Sequence, residues 1–167
     1  MKLDDTIVTL KNTDAALHNF EEAVLLFFEK RKPISICTLA HAAHEILSKT
    51  TKDSLIQHKL FLTEIGQKKV WDKLSEPKNF AKHPYKNDLT FDTWQNEIIL
   101  LDCAYMIKAH IIQHHLEANA FGCWMIKEYP DLFTNEGMNE IEDINRQIDF
   151  SNFEHIVQII RAHRSLK

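Results

Sequence analysis

The scarcity of turn-forming residues is the feature that most limits what this chain can fold into. Its 167 residues include only three glycines and four prolines, too few for the many tight turns of an all-β fold. Leu, Ile, Ala, Glu and Lys are abundant, and these residues favour helices. The sequence therefore predicts an all-α fold.

Length and composition predict a single domain over residues 1–167. Hydrophobic residues make up 44% of the chain and charged residues 26%, which is ordinary for a globular protein. The first five residues, Met-Lys-Leu-Asp-Asp, are not followed by the apolar stretch of a signal peptide. The longest apolar stretch, residues 98–112, is interrupted by Asp102, Lys108 and His110, which a membrane span would rarely carry. We expect a soluble, cytoplasmic protein that does not contact a membrane.

Cysteine usage agrees with that compartment. The three cysteines are odd in number, far apart in sequence and surrounded by apolar residues. We expect reduced core thiols at all three positions, Cys37, Cys103 and Cys123.

Apolar spacing and capping residues predict an antiparallel helical bundle of four to five main helices plus C-terminal helices. The predicted helices cover residues 14–31, 35–49, 53–65, 90–115 and 117–128, and a last helix is opened by Ser151-Asn-Phe-Glu154, which has capping-box spacing. The helix over residues 90–115 is apolar nearly all round. It is therefore expected to be the central, most buried helix.

One basic stretch carries residues suited to RNA chemistry. The net charge of −4 argues against a broad nucleic-acid surface, but residues 68–86 hold six lysines against two acidic residues. Within that stretch, His83 can act as a general acid or base on a ribose hydroxyl, while Lys78 and Lys82 can stabilise the phosphorane charge. Asn79 and Lys86 are candidate binding residues. This chemistry needs no metal or other cofactor, and the competing interpretation is a helix C-terminus where Lys and His face the negative end of the dipole.

Ten histidines suggest a metal site as an alternative. His110 and His114 are spaced i, i+4, which places both side chains on one face of the predicted helix over residues 90–115. His44 on the second helix, or Glu117 one turn along, could complete a three-ligand site with an open position. The competing interpretations are a core histidine bonded to a backbone carbonyl and a histidine on a helix surface. No Glu-x-x-His occurs, which disfavours a ferritin-like di-iron centre, and a bundle resembling the DinB family stays open.

Four blocks of sequence resemble a group of uncharacterised bacterial proteins that share an Asn-Phe-Phe-Lys-His signature. The blocks occur in the same order and span roughly residues 13 to 133: Leu26-Phe-Phe28, Pro33-Ile-Ser-Ile-Cys-Thr-Leu-Ala-His-Ala-Ala-His-Glu-Ile-Leu47, Asn79-Phe-Ala-Lys-His83, and Ala120-Phe121 to Trp124 with Tyr129-Pro-Asp-Leu-Phe133. This resemblance implies a helical fold and no established activity.

The same residues more distantly resemble the HEPN superfamily of helical bundles. Many of its members cut or bind RNA through an Arg-Asn-x-x-x-His motif at a dimer interface. Asn79 and His83 match the motif, and Ala43-His-Glu-Ile-Leu47 is similar to the superfamily's Ala-x-Glu-x-x-Leu helix. Lys78 stands where arginine is expected. Lysine keeps the charge but lacks the planar fork that grips a phosphate through two bonds, which weakens the case for catalysis more than the case for the fold.

Three functional hypotheses follow. The first is a HEPN-like, dimeric module that binds RNA or a nucleotide and has at best weak metal-independent ribonuclease activity. The second is a metal-dependent, DinB-like bundle enzyme. The third is a non-catalytic dimerisation or protein-interaction domain, whose sign would be an exposed apolar patch of several hundred Å².

Overall fold

The computed structural model describes residues 11–55, 63–66, 68–69, 93–135 and 152–166. Within them the fold is all-α and forms a helical bundle, as the sequence predicts. Its helices are α1 (Asn12–Phe28), α2 (Pro33–Thr51), α3 (Trp94–His110), α4 (Leu116–Glu128) and α5 (Phe153–Arg164), with a 3-10 turn at Pro130–Leu132. No helix among the described residues is both long and apolar enough to cross a membrane.

The first two helices form a hairpin with a tight connection. Lys30 adopts a left-handed conformation with φ 55°, and the Arg31 N–H donates to the Leu26 carbonyl, which is the pattern of a Schellman motif. Helix α1 therefore ends at Phe28, three residues before the predicted end. Pro33 is the first residue of α2, a position where the N–H that proline lacks would have no helical partner anyway.

Helix α3 is the central helix, as predicted. Eleven of its 17 residues are buried, because α2 packs on one side of it and α4 on another. It ends at His110 rather than near His115, since the backbone turns at Ile111 (φ −121°, ψ −62°). His114 therefore lies beyond the helix, and the predicted i, i+4 pairing of His110 with His114 on one helix face does not occur.

Helices α2 and α3 run in the same direction. At one end the Asn96 side chain donates to the Pro33 carbonyl (2.9 Å), and at the other His110 pairs with Asp53 (2.7 Å). Helices α1 and α2 are antiparallel, and so are α3 and α4, because short connections join each pair. The bundle thus consists of two helical hairpins packed along the α2–α3 contact.

Helix α5 covers the outer side of the α1–α4 pair. Asn152 caps it by accepting from the His155 N–H (3.1 Å), one position after the predicted Ser151. Only Ile156 and Ile160 of this helix are buried. Its N-terminal end joins an aromatic cluster in the core with centroid separations of about 5 to 6 Å: Phe27, Phe28, Phe121, Trp124 and Phe153.

Candidate functional site

A buried polar cluster lies where α4 begins. His115 is the N-cap residue of α4, and the Ala118 N–H donates to its Nδ1 atom (3.4 Å). Glu117 follows in the first turn of the helix and is fully buried, where the positive end of the helix dipole favours its negative charge. A histidine cap and a buried carboxylate thus share one helix end.

Side chains from α1 and α5 complete this cluster. From α1, a carboxylate oxygen of Glu21 pairs with His115 Nε2 at 3.1 Å. From α5, Arg164 donates to Glu117 Oε1 through Nε (3.2 Å) and to Glu22 through Nη1 (2.5 Å). These five side chains, here called the Glu117 cluster, tie three helices together through charge-assisted hydrogen bonds.

One oxygen of the Glu117 cluster has no hydrogen-bond partner. Glu117 Oε2 is buried and accepts no hydrogen bond, although His115 Nδ1 lies 3.6 Å away. A buried acceptor without a donor is costly, and such atoms are rare in folded proteins. Glu21, His115 and Glu117 are also the one group in the described part of the chain whose ligand atoms, one from each residue, all lie within 4.8 Å of one another.

A second buried polar cluster joins the two hairpins at Asp102 on α3. This carboxylate is 1% exposed and accepts hydrogen bonds from three directions. Its partners are His44 Nε2 on α2 (2.8 Å), the Ser54 hydroxyl (3.0 and 3.1 Å) and the Leu55 N–H (2.7 Å). Because Ser54 bonds to Asp102 and not to His44, the three side chains lack the nucleophile-to-base contact of a hydrolytic triad. The Asp102 cluster, which consists of Asp102, His44, Ser54 and Leu55, is therefore best explained as a structural hydrogen-bond network that joins α2 to α3.

An open cavity of about 460 Å³ lies near the start of α3 and the end of α4, at the end of the bundle opposite to the Glu117 cluster. Trp94 and Tyr129 line it, with their rings 6.1 Å apart and nearly perpendicular. The Tyr129 hydroxyl donates to Glu97 (2.7 Å), and burial together with that carboxylate raises the pKa of Tyr129 well above its usual value. The phenol is therefore a stable hydrogen-bond donor at neutral pH. The remaining lining residues in the described part of the chain are Lys69, Glu128, Pro130, Asp131 and Leu132.

A short segment at Thr63 and Gly66 is held against the 3-10 turn. The Thr63 N–H donates to the Leu132 carbonyl (3.0 Å), and the Thr63 hydroxyl donates to the Asp131 carbonyl (3.0 Å). Gly66 lies so close that a Cβ atom there would collide with the Leu132 carbonyl oxygen. Only glycine fits at this contact.

The sequence-predicted site residues divide into two groups. Lys78, Asn79, Lys82, His83 and Lys86 lie outside the described residues. The alternative metal ligands lie inside them and occupy separate places. His44 pairs with Asp102, His110 pairs with Asp53 (2.7 Å), and His114 is exposed beyond the end of α3.

Of the metal ligands considered from the sequence, Glu117 alone belongs to the three-residue group of the described chain. Its neighbours there are His115 and Glu21, which the spacing argument missed. His115 follows directly on His114 and sits two residues before Glu117, so the signal available was a histidine in capping position before the α4 apolar run. Glu21 lies 94 residues away from His115 in sequence, and nothing local identified it.

No protein-family model matches the sequence, and comparison with curated proteins and with solved structures gives no match either.

Proposed function

We propose that the protein is a HEPN-like helical module that binds RNA or a nucleotide. Its binding residues in this proposal are Lys78, Asn79, Lys82, His83 and Lys86. The proposal comes from the match of Asn79 and His83 to the superfamily motif and from the lysines around them. The all-α fold is compatible with it.

The observation that supports this proposal best is the position of the cavity. Lys69, inside the basic stretch, and Trp94, eight residues after its end at Lys86, both line the same cavity. Described residues that precede and follow the motif in the sequence thus contribute to one cavity. A cavity of about 460 Å³ is within the range that holds small organic ligands.

The lining of the cavity suits a base better than a phosphate. The rings of Trp94 and Tyr129 can stack on a base, a contact that accepts any of the four bases. Carboxylates such as Glu128 can accept hydrogen bonds from exocyclic amino groups but repel phosphate. We therefore assign the phosphate contacts to Lys78, Lys82 and Lys86, and the base contact to the cavity.

The resemblance on α2 agrees with the same proposal. Ala43 and Leu47, the apolar ends of the Ala43-His-Glu-Ile-Leu47 stretch, are fully buried, although Leu47 stands one residue closer to Glu45 than in the superfamily pattern. Glu45 between them is exposed and bonds to Lys49 (2.8 Å). The pattern therefore contributes core contacts, as expected for a fold-defining helix, and offers no residue to the site.

In this proposal the main activity of the protein is binding of RNA or a nucleotide, and cleavage of RNA is secondary. His83 would be the general acid or base and Lys78 the charge stabiliser of any reaction on the ribose hydroxyl. A lysine presents a point charge instead of the bidentate fork of arginine. We expect at best a weak ribonuclease that needs no metal.

The binding test is fluorescence anisotropy with a short labelled single-stranded RNA at low salt. We expect Lys78→Ala to weaken binding and to lower the salt slope by about 0.7 for the lost phosphate contact. Trp94→Ala should weaken binding about tenfold, and Trp94→Phe should restore most of it because the ring is kept. Lys49→Ala, which removes an exposed lysine of α2, is the matched control and should change neither value.

Two results would overturn the proposal. The first is the loss of all RNA contact at low salt in the unmodified protein. The second is an equal effect of Lys49→Ala and Lys78→Ala, which would indicate nonspecific charge attraction. Cleavage is tested separately with a mixed RNA pool, with and without EDTA, beside His83→Ala. Cleavage that survives EDTA and disappears in the variant would establish a metal-independent ribonuclease.

The alternative is a dimerisation or protein-interaction domain, whose expected sign is a contiguous apolar patch. The large exposed apolar residues of the described chain are Ile34, Ile65, Ile112 and Leu166. Ile34 follows the start of α2, and Ile112 follows the end of α3. Because these helices are parallel, Ile34 and Ile112 lie at opposite ends of the bundle and do not share a patch.

A further inference from the structure

We propose that His115, Glu117 and Glu21 form a binding site for one divalent metal ion, which clamps the N-terminus of α4 to α1. This site is separate from the RNA site proposed above and does not depend on it. The ligands come from an N-cap histidine, a buried carboxylate in the same helix turn and a carboxylate of the facing helix.

The distance between two of these ligands fits a shared ion. His115 Nδ1 and Glu117 Oε2 lie 3.6 Å apart, which is too long for a hydrogen bond between nitrogen and oxygen. Two ligands on a tetrahedral ion with bonds of about 2.1 Å are about 3.4 Å apart. The pair is therefore spaced as two ligands of one ion are, within the movement of a side chain.

The hydrogen bonds of His115 and Glu117 place no donor between His115 Nδ1 and Glu117 Oε2. The Ala118 N–H donates to His115 Nδ1, so a lone pair of Nδ1 and an oxygen of Glu117 face each other without a proton between them. Glu21 contacts Nε2 on the other side of the ring and would turn its carboxylate from Nε2 to the ion when the ion binds. A divalent ion between Nδ1 and the Glu117 oxygen would satisfy both atoms. The ion would take the Nδ1 lone pair from the Ala118 N–H, whose contact of 3.4 Å is at the long limit for a hydrogen bond.

Arg164 prepares Glu117 for this role. Its Nε atom holds Oε1 of the carboxylate at 3.2 Å, while Oε2 and the Nη2 atom of the same guanidinium both stay without a hydrogen-bond partner. Residues around a metal site commonly hold one oxygen of a ligating carboxylate by a hydrogen bond and leave the other oxygen for the metal. Among the described side chains of the cluster, three carboxylates stand against one guanidinium, so the local charge favours a cation.

The ligand set indicates the class of metal. One imidazole and two carboxylates without a thiolate suit Zn²⁺ and other divalent first-row ions. His115 is 4% exposed and Glu117 is fully buried, while the Glu21 side chain is 19% exposed. Of the three ligands, Glu21 is thus the one that solvent reaches most.

The test is a titration of the full chain, without a histidine tag and freed of metal by dialysis, with Co²⁺. We expect saturation at one Co²⁺ per chain, with visible absorption from nitrogen and oxygen ligands and no thiolate-to-cobalt charge-transfer band. Added Zn²⁺ should displace the cobalt. Glu117→Gln and Glu21→Gln, which keep the side-chain volume, should each weaken binding at least tenfold.

The controls separate this site from adventitious binding by the other histidines. His110→Gln and Glu45→Gln remove a histidine and a glutamate elsewhere on the bundle, and both should bind Co²⁺ within twofold of the unmodified protein. The proposal is overturned if no saturable binding is found, if the two cluster variants bind as tightly as the unmodified protein, or if His110→Gln abolishes binding. If circular dichroism shows Glu117→Gln to be unfolded, the partly exposed Glu21→Gln decides the matter by the same criteria. RNA binding is expected to be unaffected by EDTA, so failure of one proposal is distinguishable from failure of the other.

Discussion

Arg164, in the last turn of α5, donates its Nε–H to a carboxylate oxygen of Glu117, which is buried in the first turn of α4 (3.2 Å). The same guanidinium also holds Glu22 of α1. One side chain near the end of the described chain thus connects three helices and neutralises charge inside the bundle.

Replacing Arg164 by Met should destabilise the fold strongly. The change leaves Glu117 charged, buried and without its cation, and removal of one partner of a buried pair costs about 3 kcal/mol. Urea unfolding followed by circular dichroism measures the difference. Lys49→Met, which breaks an exposed pair on α2, is the control and should cost less than about 0.5 kcal/mol. A double variant that also carries Glu117→Gln should recover part of the loss, and strictly additive losses would refute the coupling.

Asp102→Ala should weaken the α2–α3 contact. The substitution removes the common acceptor of the His44 ring, the Ser54 hydroxyl and the Leu55 N–H. A buried donor that loses its partner, as the Leu55 N–H does, costs about 1–3 kcal/mol, and the two partly buried contacts add to the loss. We expect a loss of about 3 kcal/mol or more in the free energy of unfolding. Asp131→Ala, an exposed aspartate, is the matched control. Equal free energies of unfolding for the two variants would show that the Asp102 cluster does not stabilise the contact between α2 and α3.

The cysteines should react slowly with iodoacetamide in the folded protein. Burial raises the pKa of Cys123 to about 12, and burial with the neighbouring Asp102 charge raises the pKa of Cys103 well above its usual value. At pH 8 a thiol with a pKa of 12 is ionised in about one molecule in ten thousand, and only the thiolate reacts. We expect mass spectrometry to find Cys37, which is partly exposed, alkylated first. Rapid labelling of Cys123 without denaturant would contradict this.

Stability should fall as the pH drops below neutrality, in part through His41. Burial, and then the neighbouring His44, lowers the pKa of His41 in the folded protein. The unfolded chain therefore binds the proton first, and the contribution of this group is present above the unfolded pKa and lost as pH falls through the folded pKa. Denaturant titrations of His41→Gln between pH 7.5 and 5 should show a smaller loss than those of the unmodified protein. His155→Gln, on the exposed side of α5, should follow the unmodified profile.

Apolar spacing predicted most of the fold because helices bury one stripe each. The positions of α1, α2 and α4 agree with the predicted helices within about three residues, and the central place of α3 follows from its apolar surface. Its C-terminal end did not follow from the pattern. Apolar residues continue through Ile111 and Ile112, and the turn there comes from the Ile112 N–H bonding back to Ile107, which no periodicity reveals.

The candidate site was less predictable because its partners are distant in sequence. Asp102 looked like an interruption of an apolar stretch, yet it is the acceptor for donors 47 to 58 residues away. Glu117 was considered as a ligand together with His110 and His114, because the expected helix carried His114 one turn away from it. In the structure its neighbours are His115 and Glu21. A buried charge is identified by what surrounds it, and that is decided only when the helices pack.

The parallel arrangement of α2 and α3 has a consequence for how the chain reaches its native state. Each hairpin, α1 with α2 and α3 with α4, is made of contacts close in sequence, which form quickly. The His44–Asp102 contact instead closes a loop of 58 residues, and the chain entropy of that closure is lost before the contact is gained. We expect the two hairpins to form early and their docking to limit the folding rate. The rate-limiting step would then be the formation of the hydrogen bonds of Asp102 between α2 and α3, and Asp102 variants would have a lower folding rate.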